Sequence, residues 1–202
     1  MWNTPNLLTL LRIALIPLFV ASYYLPWRHA DALAAVLFIV AALTDWLDGF
    51  LARRLKQLSP FGAFLDPVAD KLMVAAALIV LVADAHVQQE VLDERLFAVV
   101  VVVILGREIA VSALREWMAE FGRRSHVAVS LLGKIKTVTQ MTAIPFLLWR
   151  ESIAGVSALR VGEVLLYCAA ALTLRPTVVY LRAAWPGLTH PEGGRSRRSR
   201  AC

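Results

Sequence analysis

Six apolar stretches of bilayer-spanning length divide this chain, and they leave it few ways to fold. They run over roughly 6–25, 31–52, 67–83, 96–117, 129–149 and 157–182. A helix needs about 20 residues to cross the hydrocarbon of a membrane. The stretches mix Leu and Ala with Val and Ile and do not alternate with polar residues, which excludes barrel strands. In hydrocarbon each helix satisfies its own backbone amides, so helices are what such stretches form. The sequence therefore reads as an all-α integral membrane protein with six transmembrane helices. Hydrophobic residues make up 59% of the 202 positions, above the roughly 45–50% of a soluble domain. Arg12 lies inside the first stretch rather than ahead of it, and no small-residue cleavage site follows. That stretch reads as a retained span, not a signal peptide.

Basic residues set the orientation. With the N-terminus inside, the inside loops are 53–66, 118–128 and the segment after 182. They hold Arg53, Arg54, Lys56, Arg123 and Arg124, with Arg115, Lys134 and Lys136 at helix edges, and end in Arg195, Arg197, Arg198 and Arg200. The outside loops hold Arg28, Arg95, Arg150 and Arg160, and the 84–94 loop is acidic. Both termini are expected in the cytoplasm, with the chain in the inner membrane. The net charge of +6 then belongs to loops facing anionic lipid headgroups rather than to a nucleic-acid surface. Trp2, Tyr23, Tyr24, Trp27, Trp117, Trp149 and Trp185 stand at span ends and read as an interfacial belt. Residues 1–186 form the membrane domain, and the Arg-rich 187–202 reads as a disordered cytoplasmic tail. Two cysteines, Cys168 and Cys202, are too few for a disulfide framework or a thiolate metal site.

Against this background "TDWLDGFLARRLKQLSPFGAFLDPVADK", Thr44 to Lys71, is out of place. It carries Asp45, Asp48, Asp66 and Asp70 at the junction of the second and third spans. Ionised carboxylates beside hydrocarbon cost several kcal/mol each. Asp45 and Asp48 are three apart and Asp66 and Asp70 four apart, so each pair shares a helix face. Pro60 and Gly62 read as breakers between the helices, and Asp66-Pro67 as an N-cap with proline at the first helical position. Two antiparallel helices thus aim four acids into one cytoplasmic gap. Hard divalent cations neutralise such a set, and oxygen ligands suit Mg²⁺ or Mn²⁺. Two such ions would suit displacement at phosphorus. Gly49 leaves bare backbone for close approach, Ala52 extends that strip, and Arg53 has the geometry to grip a phosphate.

The stretch matches D-x2-D-G-x2-A-R-x8-G-x3-D-x3-D at Asp45, Asp48, Gly49, Ala52, Arg53, Gly62, Asp66 and Asp70. It resembles the signature of the CDP-alcohol phosphatidyltransferases. The resemblance implies that family's six-helix membrane fold, a homodimer, and two divalent metals at the cytoplasmic face. It implies Asp45, Asp48, Asp66 and Asp70 as metal ligands, and Asp70 also as the base for the acceptor hydroxyl. It implies Gly49, Ala52, Arg53 and Gly62 as the lining of the CDP site. "NTPNLLTLLRIALIP", "LGREIAVSALREW" and "GKIKTVTQ" further resemble the family's phosphatidylglycerophosphate synthase branch, and extend the likeness over roughly residues 3–145. That branch moves a phosphatidyl group from CDP-diacylglycerol to sn-glycerol 3-phosphate.

An anionic acceptor needs a cationic pocket, and Arg107, Arg115, Lys134 and Lys136 are its candidates. Each has a blander reading. Glu108 can simply neutralise Arg107 within the bundle, and Lys134 and Lys136 can be snorkelling anchors. Asn6, Thr9 and Arg12 fit helix capping and interhelical hydrogen bonds as well as a headgroup role. Relatives that use inositol phosphate, phosphatidylglycerol or serine as acceptor are the alternatives inside the family. A cation transporter is an alternative outside it, but an ion path needs no phosphate-gripping arginine. A helical prenyltransferase would carry a second aspartate-rich motif in the other half of the chain, and none is there.

Overall fold

The computed structural model describes the backbone of residues 4–55, 60–120, 131–153 and 155–189. It describes side chains over 7–45, 47, 65, 67–114, 135–152 and 155–173. Seven helices are present among these residues: α1 (Thr4–Tyr23), α2 (Ala30–Leu55), α3 (Pro60–Ala83), α4 (Ala85–Glu90), α5 (Glu94–Glu120), α6 (Leu131–Leu148) and α7 (Ala158–Thr189). Each of the six apolar stretches lies largely in a long helix, and α4 is a short addition. A two-residue antiparallel hairpin, β1 (Ser152–Ile153) and β2 (Val156–Ser157), joins α6 to α7. Its turn uses Gly155 at φ 82°, a left-handed conformation that side chains disfavour.

Helix α1 packs against α2 and α3, α2 against α6, α6 along α7, and α5 against α7. Phe19, Phe38, Leu78, Leu81, Phe97, Ile104, Ile144, Leu147 and Leu166 fill the middle of the bundle and are fully buried. Buried alanines (Ala34, Ala35, Ala41, Ala77, Ala143, Ala169) let the helices approach closely. The outer surface is apolar as well. Leu11, Val36, Ile79, Val102, Val138 and Val164 stand exposed on α1, α2, α3, α5, α6 and α7.

Four sequence expectations change. Helix α3 starts at Pro60, so Asp66 is a helix-interior position rather than an N-cap, and Pro67 lies inside the helix. Proline at the first position of a helix loses nothing, because that N–H has no partner in the helix, and Pro60 takes that place. At Pro67 one internal hydrogen bond is lost, but the helix continues on the apolar packing that follows. Helix α7 runs through to Thr189, three residues into the segment that reads as a disordered tail from 187. The acidic 84–94 loop contains α4, and two of its acids are caps. Asp84 accepts from the amides of His86 (2.8 Å) and Val87 (3.2 Å), and Asp93 from those of Arg95 (2.8 Å) and Leu96 (2.9 Å). Finally, Tyr23 is buried rather than part of an interfacial belt. Its hydroxyl donates to Asp84 Oδ2 at 2.9 Å.

Candidate functional site

Asp45, in the second half of α2, and Asp70, in the first half of α3, line one narrow cleft together with Arg12 of α1 and Met141 of α6. Arg12 is 1% exposed, and its Nη1 lies 2.6 Å from Asp45 Oδ1. A guanidinium buried among apolar side chains is tolerable only with such partners. Asp48 and Asp66 occupy helix positions three residues after Asp45 and four before Asp70, within α2 and α3. Their side chains lie outside the described ones, as do those of Gly49, Ala52, Arg53, Gly62, Arg115 and Lys134.

Asp70 also faces a second, larger cavity of about 230 Å³ between α3, α5 and α6. Lys71, Glu108, Lys136, Thr137 and Gln140 supply its other polar wall, and Val74, Leu105, Ile109 and Met141 its apolar wall. Lys136 is buried, and its ammonium contacts Glu108 Oε1. The same oxygen accepts from Arg107 Nη1 at 3.0 Å. Arg107 does not line the cavity but reaches it through Glu108. Two cations on one carboxylate leave a formal charge of +1 beside Asp70, so Glu108 does not cancel the site's positive charge. Sequence reasoning gave Glu108 the part of a simple partner to Arg107. Its role as the hub between α5 and α6 is a tertiary contact with no local signal. Gln140 was missed too, although it stands four residues after Lys136 and so shares its helix face.

The CDP-alcohol phosphatidyltransferase profile matches residues 2–175. The chain belongs to that family. A protein of Pectobacterium atrosepticum is 50% identical over 192 residues, covering 94% of this chain and 99% of its own. One of Yersinia enterocolitica is 50% identical over 189 residues, covering 94% and 98%. One of Salmonella paratyphi A is 49% identical over 183 residues, covering 91% and 95%. All three are named CDP-diacylglycerol–glycerol-3-phosphate 3-phosphatidyltransferase.

Members of the family depend on a divalent metal, and the donors here suit one. Asp45 and Asp70 converge on one cleft from two helices, and carboxylate oxygen is the ligand that Mg²⁺ prefers. Among the described residues no group of three metal-binding side chains is complete. Asp48 and Asp66 are the two positions that would complete it.

Proposed function

We propose that this protein transfers the phosphatidyl group of CDP-diacylglycerol to sn-glycerol 3-phosphate, giving phosphatidylglycerophosphate and CMP. The observation that carries this reading is that Asp70 shares one cavity with Lys71 and Lys136, beside the Asp45 cleft. Relatives of near-complete coverage bear the name of that reaction. The six long helices with apolar outer faces support a membrane domain over 1–186, and the basic residues of 53–66, 118–128 and the segment after 182 support placing the tail 187–202 and both termini in the cytoplasm. Within α5, Glu94–Leu114 is long and apolar enough to cross a bilayer. A homodimer in the inner membrane is the assembly we infer from the family.

Asp45, Asp48, Asp66 and Asp70 would hold two Mg²⁺ or Mn²⁺ ions. Bound there, they would neutralise the donor's pyrophosphate and the charge that develops as CMP leaves. Gly49, Ala52 and Gly62 give the CDP moiety close access to backbone, and Arg53 pairs with its phosphate. Lys136, with Arg107 behind Glu108 and with Arg115 and Lys134 nearby in sequence, takes the acceptor's phosphate. Asp70 accepts the proton of the acceptor's 1-hydroxyl as that oxygen attacks the phosphorus bearing diacylglycerol. The bond to CMP breaks, and CMP departs to the cytoplasm while the lipid product stays in the membrane.

The test is CMP release by purified protein with CDP-diacylglycerol, Mg²⁺ and, separately, glycerol 3-phosphate, inositol phosphate, serine and phosphatidylglycerol. Release with glycerol 3-phosphate is expected, and release with serine alone would overturn the reading. Asp70→Asn should stay folded in membranes and lose turnover by at least about 10²-fold, the scale of general-base catalysis. Near-normal turnover would remove Asp70 from the role of base.

A further inference from the structure

We infer that Gln140 is the residue that recognises the acceptor's secondary hydroxyl, and that it makes the enzyme selective for a 1,2-diol phosphate. The inference rests on the acceptor reading above and extends it to a position nothing yet assigns. Gln140 lines the 230 Å³ cavity with Asp70 and Lys136 and is 4% exposed. Its Oε1 has no hydrogen-bond partner among the described residues. Buried side-chain amides in folded proteins are nearly always partnered, because leaving one unpaired carries a free-energy cost. The cavity it lines is walled by Val74, Leu105 and Met141 as well as by Asp70, Lys71, Glu108, Lys136 and Thr137, and none of these bonds its Oε1.

The geometry says what the missing partner is. Lys136 and Gln140 are four residues apart on α6, one turn and about 6 Å along the helix axis. Asp70 faces the same space from α3. An acceptor with its phosphate on Lys136 and its attacking hydroxyl at Asp70 is held at both ends. Its middle carbon then passes the wall where Gln140 stands one turn from the phosphate. In glycerol 3-phosphate that carbon bears a hydroxyl, which both donates and accepts. A carboxamide does both as well and matches it without a net charge. An acceptor without that hydroxyl would leave the buried amide unpaired, and sites built around a substrate hydroxyl reject such analogues strongly.

The test compares kcat/KM for CMP release with sn-glycerol 3-phosphate and with 3-hydroxypropyl phosphate, which lacks the middle hydroxyl. The full-length enzyme is assayed as wild type, Gln140→Leu and Gln140→Asn. The wild type should prefer glycerol 3-phosphate. Gln140→Leu should lose about 10- to 100-fold on glycerol 3-phosphate and keep its rate on the deoxy acceptor, so that the preference collapses. That retained rate is also the proof that the variant is folded. Gln140→Asn, which keeps the amide but withdraws it by one methylene, should reduce the preference in the same sense. An equal loss on both acceptors, or none on either, overturns the inference while leaving the acceptor reading intact. A wild type inactive with both phosphates yet active with another acceptor overturns the acceptor reading itself, and the inference with it.

Discussion

Arg12 is buried with a full charge, and its 2.6 Å contact with Asp45 explains how. The contact has a functional side. A ligand carboxylate is held in place by the groups that bond its oxygens, and removing such a partner typically costs 10- to 100-fold in metal affinity or activity. Arg12→Met should therefore raise the Mg²⁺ concentration for half-maximal CMP release by about that factor, with Arg12→Lys intermediate because it lacks the planar fork. A Mg²⁺ titration of CMP release checks this. An unchanged midpoint with a lower maximal rate would assign Arg12 to the substrate instead. The shared cleft of Asp45 and Asp70 was legible because the spacing of the acids is written locally, on two consecutive helices. Arg12 was visible as a charge within a span but not as the partner of Asp45, because that contact joins α1 to α2. Glu108 and Gln140 were hidden for the same reason, since a cavity between α3, α5 and α6 has no imprint on any single segment.

At the level of elements, α6 and α7 meet more closely than any side chain allows at Gly162. A Cβ built there would lie 2.7 Å from the backbone nitrogen of Leu147 and 2.9 Å from the carbonyl oxygen of Ala143. Backbone atoms cannot rotate away, so the helices themselves must part. Gly162→Ala should destabilise the fold by about 1–3 kcal/mol, the range for overpacking a tight core, read as a lowered thermal midpoint in detergent. A midpoint equal to the wild type would mean that α7 slides without loss. Next to it, fully buried Glu163 accepts from the amide of Leu92 at 3.0 Å and from the hydroxyl of Tyr167 at 2.8 Å. This ties the α4–α5 connection to α7. The long helices could be read from apolar length, which is a property of consecutive residues. The start of α3 could not, because Asp66-Pro67 is a good local capping signal and Pro60 an equally good one. Downstream packing, which local pattern does not contain, decided between them. The six residues of α4 are too few to show a periodicity, and its cap, Asp84, read only as one of the acids of the 84–94 loop.

On the scale of the whole molecule the two ends of the bundle are built for opposite purposes. One end holds the Asp45 cleft and the open cavity beside Asp70. At the other, three connections meet in a single ionic cluster. Arg150, just past α6, lies 3.3 Å from Asp31 of α2, donates to Asp84 between α3 and α4 at 2.5 Å, and donates to Tyr23 of α1 at 2.9 Å. Its guanidinium also sits 5.3 Å from the Tyr23 ring centre. The cluster ties together the ends of α1, α2, α3 and α6. It also gives the fold an acid limit. Burial pushes the Asp84 carboxyl up, but the Tyr23 hydroxyl, the amides of Val87 and His86, and the Arg150 charge outweigh it and hold it below its ordinary 3.8. A carboxyl lowered on folding contributes stability that is complete above its unfolded value and is lost as pH falls through the folded one. Thermal unfolding in detergent from about pH 7 to about pH 3 should therefore show the wild type losing stability at the acid end. Asp84→Asn should start from a lower midpoint at neutral pH and fall less on acidification, so that the two curves converge. Parallel curves would mean that Asp84 is not the acid-sensitive member. The helix ends would then be held by Asp31 and Arg150 alone, an arrangement that Asp31→Asn would break and Asp84→Asn would spare.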